Sequence, residues 1–312
     1  MSNYLVTGGA GFIGSNIVKS LLEQGENVRI IDNISTGKRK NIQPFLDKIE
    51  FFEESISDFD SCLKAVSDMD FILHQAAIPS VPRSVENPLR SNEANVTGTV
   101  NLLTAAKDKK IRRFVYAGSS SAYGNVKVSP KVETLRPEPL SPYAVSKLAG
   151  EHYCKAFNEC FGLETVCLRY FNVFGPNQDP TSQYSAVIPK FITCVLDDVP
   201  PPIQGDGTQS RDFTFVQNNV RANLLACTAK KAPGETFNIA CGSNTNLLEL
   251  VQMINEILEK EVKPEFHSRR PGDVKHSLAD ITKARDLLGY KAEISFREGL
   301  TETIEWYKDN RE

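Results

Sequence analysis

The 312-residue chain is 40% hydrophobic and carries a formal net charge of -3 at pH 7. It therefore has enough apolar material for one large α/β domain or two smaller ones, and too little charge excess for a long basic face that binds nucleic acid or a polybasic patch that binds a membrane. Its seven cysteines never form a Cys-x-x-Cys pair and its four histidines are dispersed, so we expect reduced thiols and no metal site.

The first predicted element is a buried strand that runs into a glycine-rich turn. The apolar run Tyr4-Leu5-Val6 predicts the strand, and the segment 7–14 spaces Gly8, Gly11 and Gly14 so that the strand turns sharply into a helix. Gly8 would allow the tight turn, Gly11 would let the backbone approach a pyrophosphate, and Gly14 would let the helix pack close to the strand. The pattern therefore predicts a phosphate group at the helix N-terminus. Because no charged leader or long apolar stretch precedes the strand, we expect a cytoplasmic protein.

A second strand, residues 28–31, follows a helical pattern and ends in Asp32. Asp32 lies about twenty residues beyond the glycines, where a carboxylate would accept hydrogen bonds from the ribose hydroxyls of adenosine. A 2′-phosphate there would meet a negative charge, which favours NAD over NADP. The basic run 38–40 weakens this preference slightly.

Strands continue to alternate with helical patterns. Residues 49–52 and 71–74 predict two more buried strands with a short helix between them, which indicates βαβ architecture. His74, at the end of the second strand, is expected to be a satisfied core histidine. Ala76 and Ala77 follow it, as expected where a backbone passes close to a ligand.

A helix is predicted from about residue 88 to residue 107. Its Asn92 and Asn95 could turn polar groups inward. A buried asparagine needs hydrogen-bond partners, so we expect a strand carbonyl or a water near the ligand site.

The next strand, residues 114–118, delivers Ser119-Ser120-Ser121 at its carboxyl end, where open α/β sheets bind ligands. A helix predicted over 141–161 begins with a Ser-Pro cap and carries Tyr143 and Lys147 on one face. A tyrosine with a pKa of about 10 is a poor base at neutral pH. A lysine ammonium and a nicotinamide cation beside it could lower that pKa by about three units, which would make the phenolate a usable base.

The glycine turn, the acidic residue, the serine cluster and the Tyr/Lys helix occur in the order that one site requires. In these features the chain resembles the extended short-chain dehydrogenase/reductase superfamily, and within it the nucleotide-sugar 4-epimerases of the UDP-glucose/UDP-N-acetylglucosamine type. The resemblance runs almost end to end, because the segments 142–147, 168–176 and 205–213 also match. It implies NAD as cofactor, a UDP-sugar as substrate and a homodimer, with no nucleic-acid or membrane partner.

The implied fold is a Rossmann-type doubly wound parallel sheet with a smaller, interleaved C-terminal α/β substrate domain. We expect residues 1–175 to form the NAD-binding domain, together with a strand and a helix that return near 213–260. Residues 176–312 would mainly bind the nucleotide sugar. In this half we predict a helix over 187–196, an extended segment over 200–203 that could lie alongside a flat base, and a strand over 237–240 that rejoins the main sheet.

The resemblance and the pattern together predict the site residues. Catalysis is assigned to Ser119, Ser120, Tyr143 and Lys147. The predicted cofactor contacts are Gly8, Gly11, Phe12, Ile13, Gly14, Asp32, Asn33, Ser35, Thr36, Gly37, Ser55, Ile56, Gln75, Ala76, Ala77, Pro79, Asn95, Ala117, Tyr143, Lys147, Tyr170, Asn172 and Val173. The predicted substrate contacts are Ser80, Ser119, Ser121, Tyr143, Asn172, Gln178, Val187, Lys190, Pro202, Ile203, Gln204, Arg211, Arg270, Asp273 and Ser277. Ser55 departs from the family pattern, since many relatives have an acidic residue there near the adenine.

The implied reaction inverts C4 of the sugar. Tyr143 would take the proton from the 4-hydroxyl while C4 passes a hydride to NAD⁺, and the hydride would return to the opposite face of a 4-keto sugar after it turns over. Ser119, and with it Ser120, would hydrogen-bond the 4-oxygen. Lys147 would bind the nicotinamide ribose and tune Tyr143.

Rival reactions begin with the same oxidation. Relatives of the 4,6-dehydratase and UDP-glucuronate decarboxylase types carry an acidic residue beside the strand-end hydroxyls. Here Ser120 and Ser121 precede Ala122-Tyr123-Gly124, and this segment contains no Asp or Glu. The lack of a general acid/base group there disfavours elimination. A UDP-uronate 4-epimerase is a further alternative. A non-catalytic NAD(H) sensor is the alternative from another class, and it would have little need for Ser119, Tyr143 and Lys147 together.

Two residues predict the choice of sugar. Asp179 would place negative charge near the hexose and repel a uronic acid, so neutral sugars are expected. Ser277 matches a position at which family members with a tyrosine tend to exclude 2-N-acetyl sugars. Because serine is small, we expect UDP-GlcNAc and UDP-GalNAc to be interconverted, and better than UDP-Glc and UDP-Gal.

Overall fold

The structure is a computed structural model that describes residues 1–180, 187–268 and 275–310. The strands are β1 (Asn3–Thr7), β2 (Asn27–Ile31), β3 (Ile49–Phe52), β4 (Phe71–His74), β5 (Arg113–Ser119), β6 (Thr165–Tyr170), β7 (Val173–Phe174), β8 (Pro202–Gln204), β9 (Ser210–Arg211), β10 (Thr214–Phe215), β11 (Thr236–Ile239), β12 (Thr245–Asn246), β13 (Glu265–His267) and β14 (His276–Ser277). The helices are α1 (Phe12–Glu23), α2 (Phe59–Val66), α3 (Val81–Glu86), α4 (Pro88–Asn92), α5 (Gly98–Asp108), α6 (Pro142–Phe161), α7 (Val187–Leu196), α8 (Val216–Thr228), α9 (Leu247–Leu258), α10 (Thr282–Leu288) and α11 (Phe296–Asp309).

The main sheet has seven strands in the order β11-β6-β5-β4-β1-β2-β3, and every pair in it is parallel. The chain winds outward in both directions from β1, so the strand order reverses between β1 and β4. This is the predicted Rossmann-type doubly wound sheet, and its ligand crevice is expected at that reversal. The predicted return of residues 237–240 is also confirmed, since β11 pairs with β6 in the register Phe237↔Leu168.

Two apolar layers cover the faces of this sheet. Successive residues of a strand point to opposite faces, so Leu5 packs in one core with α2, α5 and α6, while Val6 packs in the other with α1, α8 and α10. Both side chains are fully buried, and burial of such a side chain stabilises the fold by roughly 1.5–3 kcal/mol. Strands buried on both faces explain why the sequence shows continuous apolar runs.

A third core organises much of the C-terminal half. Helix α7, which was predicted over 187–196, and helix α9 pack with α11 around the aromatic rings of Phe174 and Phe215. Small sheets surround this core: β7 pairs with β10, β8 with β13, and β9 lies between β12 and β14. The boundary predicted near residue 175 stays a prediction.

The region before α5 differs from the single helix predicted over 88–107. Helical structure already begins at Val81, breaks at Asn87, and passes through a π-helical segment, Glu93–Thr97, before α5. The break arises because Asn87 caps a new helix, its side chain accepting a hydrogen bond from the Arg90 N–H. Asn92 is exposed, contrary to the prediction, whereas Asn95 is buried as expected.

No helix among residues 1–180, 187–268 and 275–310 is long and apolar enough to cross a membrane.

Candidate active site

A cleft of about 530 Å³ opens at the carboxyl ends of the sheet strands. It is lined by the β1–α1 turn, by residues that follow β2, β3 and β4, and by side chains of α4 and α6. Most of the predicted cofactor residues line it: Gly8, Gly11, Phe12, Ile13, Gly14, Asp32, Asn33, Ser35, Thr36, Gly37, Ser55, Ile56, Gln75, Ala76, Ala77, Pro79, Ala117, Tyr143, Lys147 and Tyr170.

The glycine turn has the geometry that the sequence predicts. Gly8 has φ +67°, and a Cβ there would lie 2.7 Å from the backbone of Ala76. A Cβ on Gly14 would collide with the carbonyl oxygen of Gly8, so only glycine lets α1 lie this close to β1. Gly11 precedes α1 without a side-chain cap, and the first N–H groups of a helix have no acceptor within it. The turn therefore fits a pyrophosphate.

Asp32 lies at the end of β2 and lines the same cleft. Its carboxylate accepts hydrogen bonds from the N–H groups of Ala10, at 3.0 Å, and Ile34, at 2.8 Å. Burial raises the pKa of Asp32, and the two N–H donors oppose that rise. Each carboxylate oxygen has a further lone pair, so the group can still accept hydrogen bonds from ribose hydroxyls.

The basic loop after β2 lies against carboxylates. Lys38 Nζ is 3.0 Å from Asp179 Oδ2, and Arg39 forms an ion pair with Glu53. These pairs reduce the attraction of the loop for a 2′-phosphate, which is consistent with NAD. The contact of Asp179 with Lys38 also partly neutralises the carboxylate, so the predicted repulsion of uronic acids loses its main electrostatic support.

Three predicted catalytic groups meet where β5 ends and α6 begins. Ser119 Oγ accepts hydrogen bonds from the N–H and the hydroxyl of Ser121, at 3.2 and 2.8 Å, and it also hydrogen-bonds Tyr143. Lys147 is buried one helical turn beyond Tyr143, and its Nζ donates to the Ala117 carbonyl at 2.9 Å. Ser120 begins a 3-10 turn beside them.

The electrostatics of this group differ in part from the prediction. Burial raises the pKa of Tyr143, and the hydrogen bond with Ser119 opposes that rise. The lowering predicted from sequence must therefore come from positive charge brought beside the phenol. Burial lowers the pKa of Lys147 to about 8, so its ammonium form still predominates at pH 7.

The predicted substrate residues are more scattered. Ser80, Tyr143 and Gln178 line the cleft, whereas the Asn172 amide donates to the Asp212 carbonyl at 3.1 Å and Arg211 donates to the carbonyls of Ser210 and Lys275. Outside the cleft lining, Val187 and Lys190 lie on α7, Pro202 and Gln204 on β8, Ser277 on β14, and Val173 on β7. Arg270 and Asp273 lie outside the described residues.

Two of the predicted contacts need correction. Asn95 is 1% exposed, and its amide is engaged by Ile78 and Ser146 behind the cleft wall. The side chain of Ile203 is fully buried in the C-terminal core, so only its main chain is available to a ligand. Both residues lie in the right segment, but packing turns their side chains away.

The sequence interpretation also missed cleft residues. Arg83 on α3 and Arg90 on α4 line the cleft, and neither was predicted. Ser80 and Asn87 cap these two helices, and each has a proline in the first turn. A capping residue followed by proline is the signal that could have located both helices.

Residues 4–240 match the model of the NAD dependent epimerase/dehydratase family. A structure of the UDP-N-acetylglucosamine 4-epimerase from Methanobrevibacter ruminantium M1 in complex with UDP-N-acetylmuramic acid is 41% identical with a TM-score of 0.95, over 99% of each chain. A putative UDP-glucose 4-epimerase of Methanocaldococcus jannaschii is 41% identical over 98% of each chain. The UDP-glucuronic acid 4-epimerase from Bacillus cereus, in complex with UDP-glucuronic acid and NAD, is 36% identical with a TM-score of 0.91, over 99% of this chain and 100% of that one.

Proposed function

The chain belongs to the NAD-dependent epimerase/dehydratase family, and we propose that it is a UDP-sugar 4-epimerase whose main substrates are UDP-GlcNAc and UDP-GalNAc, with UDP-Glc and UDP-Gal as a second pair. One observation carries the proposal: Ser119, Tyr143 and Lys147 come together beside a cleft that fits NAD.

The protein's own groups move the proton. Tyr143 accepts the proton of the sugar 4-hydroxyl as C4 is oxidised, and it returns that proton when the 4-keto sugar is reduced from the other face. Ser119 is hydrogen-bonded to Tyr143, so it can orient the 4-oxygen and share its proton. The charge of Lys147, one turn along α6, favours the phenolate form of Tyr143.

NAD, when bound, supplies the group that takes the hydride from C4 and gives it back. The Gly8 turn, the N-terminus of α1 and Asp32 would hold its pyrophosphate and ribose. Because the hydride is returned within each cycle, no external reductant is needed and no NADH is released.

The preference for N-acetylated sugars rests on Ser277. In β14 this residue pairs with Arg211 of β9, which is itself a predicted substrate contact, so a small residue lies beside it in the sheet. A serine leaves more room than a tyrosine for an acetamido group while the keto sugar turns over.

The direct test is incubation of the purified protein with a panel of UDP-sugars, followed by NMR of the anomeric and C4 protons. We expect UDP-GlcNAc and UDP-GalNAc to reach one equilibrium mixture from either side, without accumulation of NADH at 340 nm. Stoichiometric NADH would identify a dehydrogenase, and loss of a hydroxyl or carboxylate would identify an eliminating enzyme. Preferred turnover of UDP-glucuronate would contradict the proposed sugar preference and show that the substrate is a uronate.

A further inference from the structure

Helix α6 begins at Pro142, and the N–H groups of its first turn are all accounted for. Pro142 has no N–H, and the N–H of Ala144 is capped by Ser141 Oγ at 3.1 Å. The N–H of Tyr143 has no acceptor in its own helix. It donates instead to Ser84 Oγ, at 3.0 Å, in the separate helix α3. The Tyr143 N–H, a first-turn donor with no partner in its own helix, is therefore bound by a residue 59 positions earlier in the chain.

Ser84 is suited to accept this hydrogen bond. Its side chain is fully buried, and its hydroxyl donates to the Val81 carbonyl at 2.7 Å. Since a hydroxyl has one donor and two acceptor lone pairs, the contact with Tyr143 uses its accepting side. Helix α3 also presents Arg83 to the cleft, so Ser84 ties Tyr143 to the cleft wall.

The carbonyl of Tyr143 is held on its other side. Ser146 Oγ donates to it at 2.8 Å and itself accepts from Asn95 Nδ2 at 2.9 Å. Asn95 Oδ1 in turn accepts from the N–H of Ile78, in the segment after β4 that lines the cleft. Ser146 and Asn95 are 4% and 1% exposed, so water does not compete for these bonds.

We propose that Ser84 is a positioning residue that, together with Ser146 and Asn95, clamps the main chain of Tyr143 and so keeps its phenol within reach of Ser119. The inference rests on the proposed function of Tyr143 as the proton acceptor. The main-chain N–H of Tyr143 is bound by Ser84 of α3, and its C=O is bound by Ser146, one turn further along α6. A small displacement of a reacting group lowers the rate steeply, and a misplacement of about 1 Å can cost on the order of a hundredfold.

The alternative is that Ser84 only stabilises the start of α6, as a helix cap does. The chain offers a matched control for this. Ser91 on α4 is also a buried serine, 1% exposed, but its hydroxyl has no hydrogen-bond partner within the described residues. Ser84→Ala and Ser91→Ala therefore remove the same atom from two buried side chains. Ser84→Ala also removes the hydrogen bonds to Tyr143 and to the Val81 carbonyl, whereas Ser91→Ala removes none within the described residues.

The first measurement is steady-state turnover of UDP-GlcNAc with NAD content and thermal stability determined in parallel. We expect Ser84→Ala to lower kcat by about tenfold to a hundredfold with KM and NAD content little changed. Ser91→Ala should stay within about twofold of wild type. Ser84→Thr retains the hydroxyl and should recover more activity than Ser84→Val, which has the same shape without it. Equal kcat for Ser84→Ala and Ser91→Ala would overturn the inference.

The pH profile separates positioning from stability. A loosened Tyr143 makes a weaker hydrogen bond with Ser119, and that bond lowers the pKa of Tyr143. Because the base must be deprotonated, the acid limb of kcat should move to higher pH in Ser84→Ala. It should not move in Ser91→Ala. An unshifted limb with reduced kcat would overturn the inference.

Hydrogen exchange of the Tyr143 amide tests the clamp without turnover. Ser84→Ala should raise the exchange rate of that amide at least about tenfold over its rate in Ser91→Ala and in wild type. Unchanged exchange would overturn the inference whatever the enzyme does. If the wild type interconverts no UDP-sugar while exchange rises, the proposed function fails and the clamp still stands.

Discussion

Tyr143 lies in an environment that works against its proposed role, because burial disfavours the phenolate. Ser119 hydrogen-bonds the phenol and opposes this effect. Lys147, one turn along α6, has a pKa of about 8 and so keeps most of its positive charge at pH 7. The basicity that catalysis needs therefore depends on groups fixed around the phenol, and it is sensitive to their placement.

Tyr143→Phe removes the hydroxyl and keeps the ring. Since the backbone contacts of residue 143 remain, we expect normal folding and normal NAD content. Turnover should fall by at least about a hundredfold, because the hydroxyl proposed to take the proton is lost. NMR of UDP-sugar interconversion, with NAD released and quantified from the same sample, checks both expectations. Near-normal turnover would exclude Tyr143 as the proton acceptor.

Ser277→Tyr tests the proposed sugar preference. Ser277 is partly buried in β14 opposite Arg211, so a tyrosine would fill space on that side of the small sheet. We expect turnover of UDP-GlcNAc to fall tenfold or more, about 1.4 kcal/mol in the transition state, while UDP-Glc is spared. The comparison is kcat/KM for both sugars.

Ser277→Ala is the matched control, since it stays small and should leave both sugars unaffected. Equal losses for both sugars in Ser277→Tyr would show that the residue does not select on the acetamido group.

At the scale of single residues, the sequence predicts best where local backbone geometry decides. Gly8 and Gly14 are required by a positive φ and a close helix–strand approach, and both were located correctly. Asn95 and Ile203 were placed in the right segments, but the side chains of both are buried in the fold, which the sequence did not indicate. The direction of a side chain depends on packing between distant segments, which residue type and spacing do not reveal.

Among the elements, six of the seven strands of the main sheet were predicted, because they read as short, mainly apolar runs, whereas β6 was not. Helices α3 and α4 have six and five residues, so a 3.6-residue periodicity cannot be recognised in them. The π-helical segment after α4 was also missed. Its backbone widens where Asn95 reaches Ile78 and Ser146, a tertiary contact that no local pattern encodes.

His74 at the end of β4 joins three elements of the main domain. Its two ring nitrogens lie 2.7 Å from Thr7 Oγ1 on β1 and 2.9 Å from Thr99 Oγ1 on α5. Burial, and secondarily the charge of Lys147, lowers the pKa of His74 to about 3, so the ring is neutral in the folded protein. The prediction of a satisfied core histidine is confirmed.

The buried ring makes the fold sensitive to acid. The unfolded chain binds a proton at His74 below pH 6.5, whereas the folded chain does not until about pH 3. The contribution of the neutral His74 ring to the free energy of unfolding is therefore fully present above pH 6.5. It is lost progressively as the pH decreases toward 3. Between pH 7 and 5 the loss is about 2 kcal/mol.

His74→Gln removes the titrating group and should flatten this dependence. Urea unfolding at pH 7 and pH 5 measures it: wild type should lose about 2 kcal/mol more than the variant over this interval. A variant with the same pH slope as wild type would mean that His74 is not the group responsible. Lower stability of the variant at pH 7 is expected, because the bonds to Thr7 and Thr99 are weakened.

Across the whole molecule, the two predicted domains are interleaved by the path of the chain. Strand β7 pairs with β10 in the smaller half, α8 then packs with α1 on the main sheet, and β11 rejoins that sheet. The sequence analysis also predicted this return, as a strand over residues 237–240. Within the described residues, no single cut of the chain separates the third core from the two cores of the main sheet.

The homodimer implied by the family resemblance stays a prediction, and one surface of the molecule offers a place for it. Helices α3 and α4 pack against α6, and this face exposes Val85, Leu89 and Val145 by 63%, 82% and 52%. Neighbouring exposed apolar side chains on helices favour burial against another apolar surface. A second copy of the chain can present the same face about a two-fold axis, which makes the contact self-complementary.

Val145→Glu tests this contact, because a charge on this apolar face would be buried without a partner in the dimer. We expect the dimer dissociation constant to rise at least about tenfold, measured by analytical ultracentrifugation over a concentration series. Val128→Glu is the matched control, since Val128 is also 52% exposed but lies in the loop between β5 and α6 and not on α3, α4 or α6. Equal weakening by both substitutions, or a monomeric wild type, would contradict the prediction. The same face carries α3 and the start of α6, so a dimer that forms here would also brace the helices that hold Tyr143.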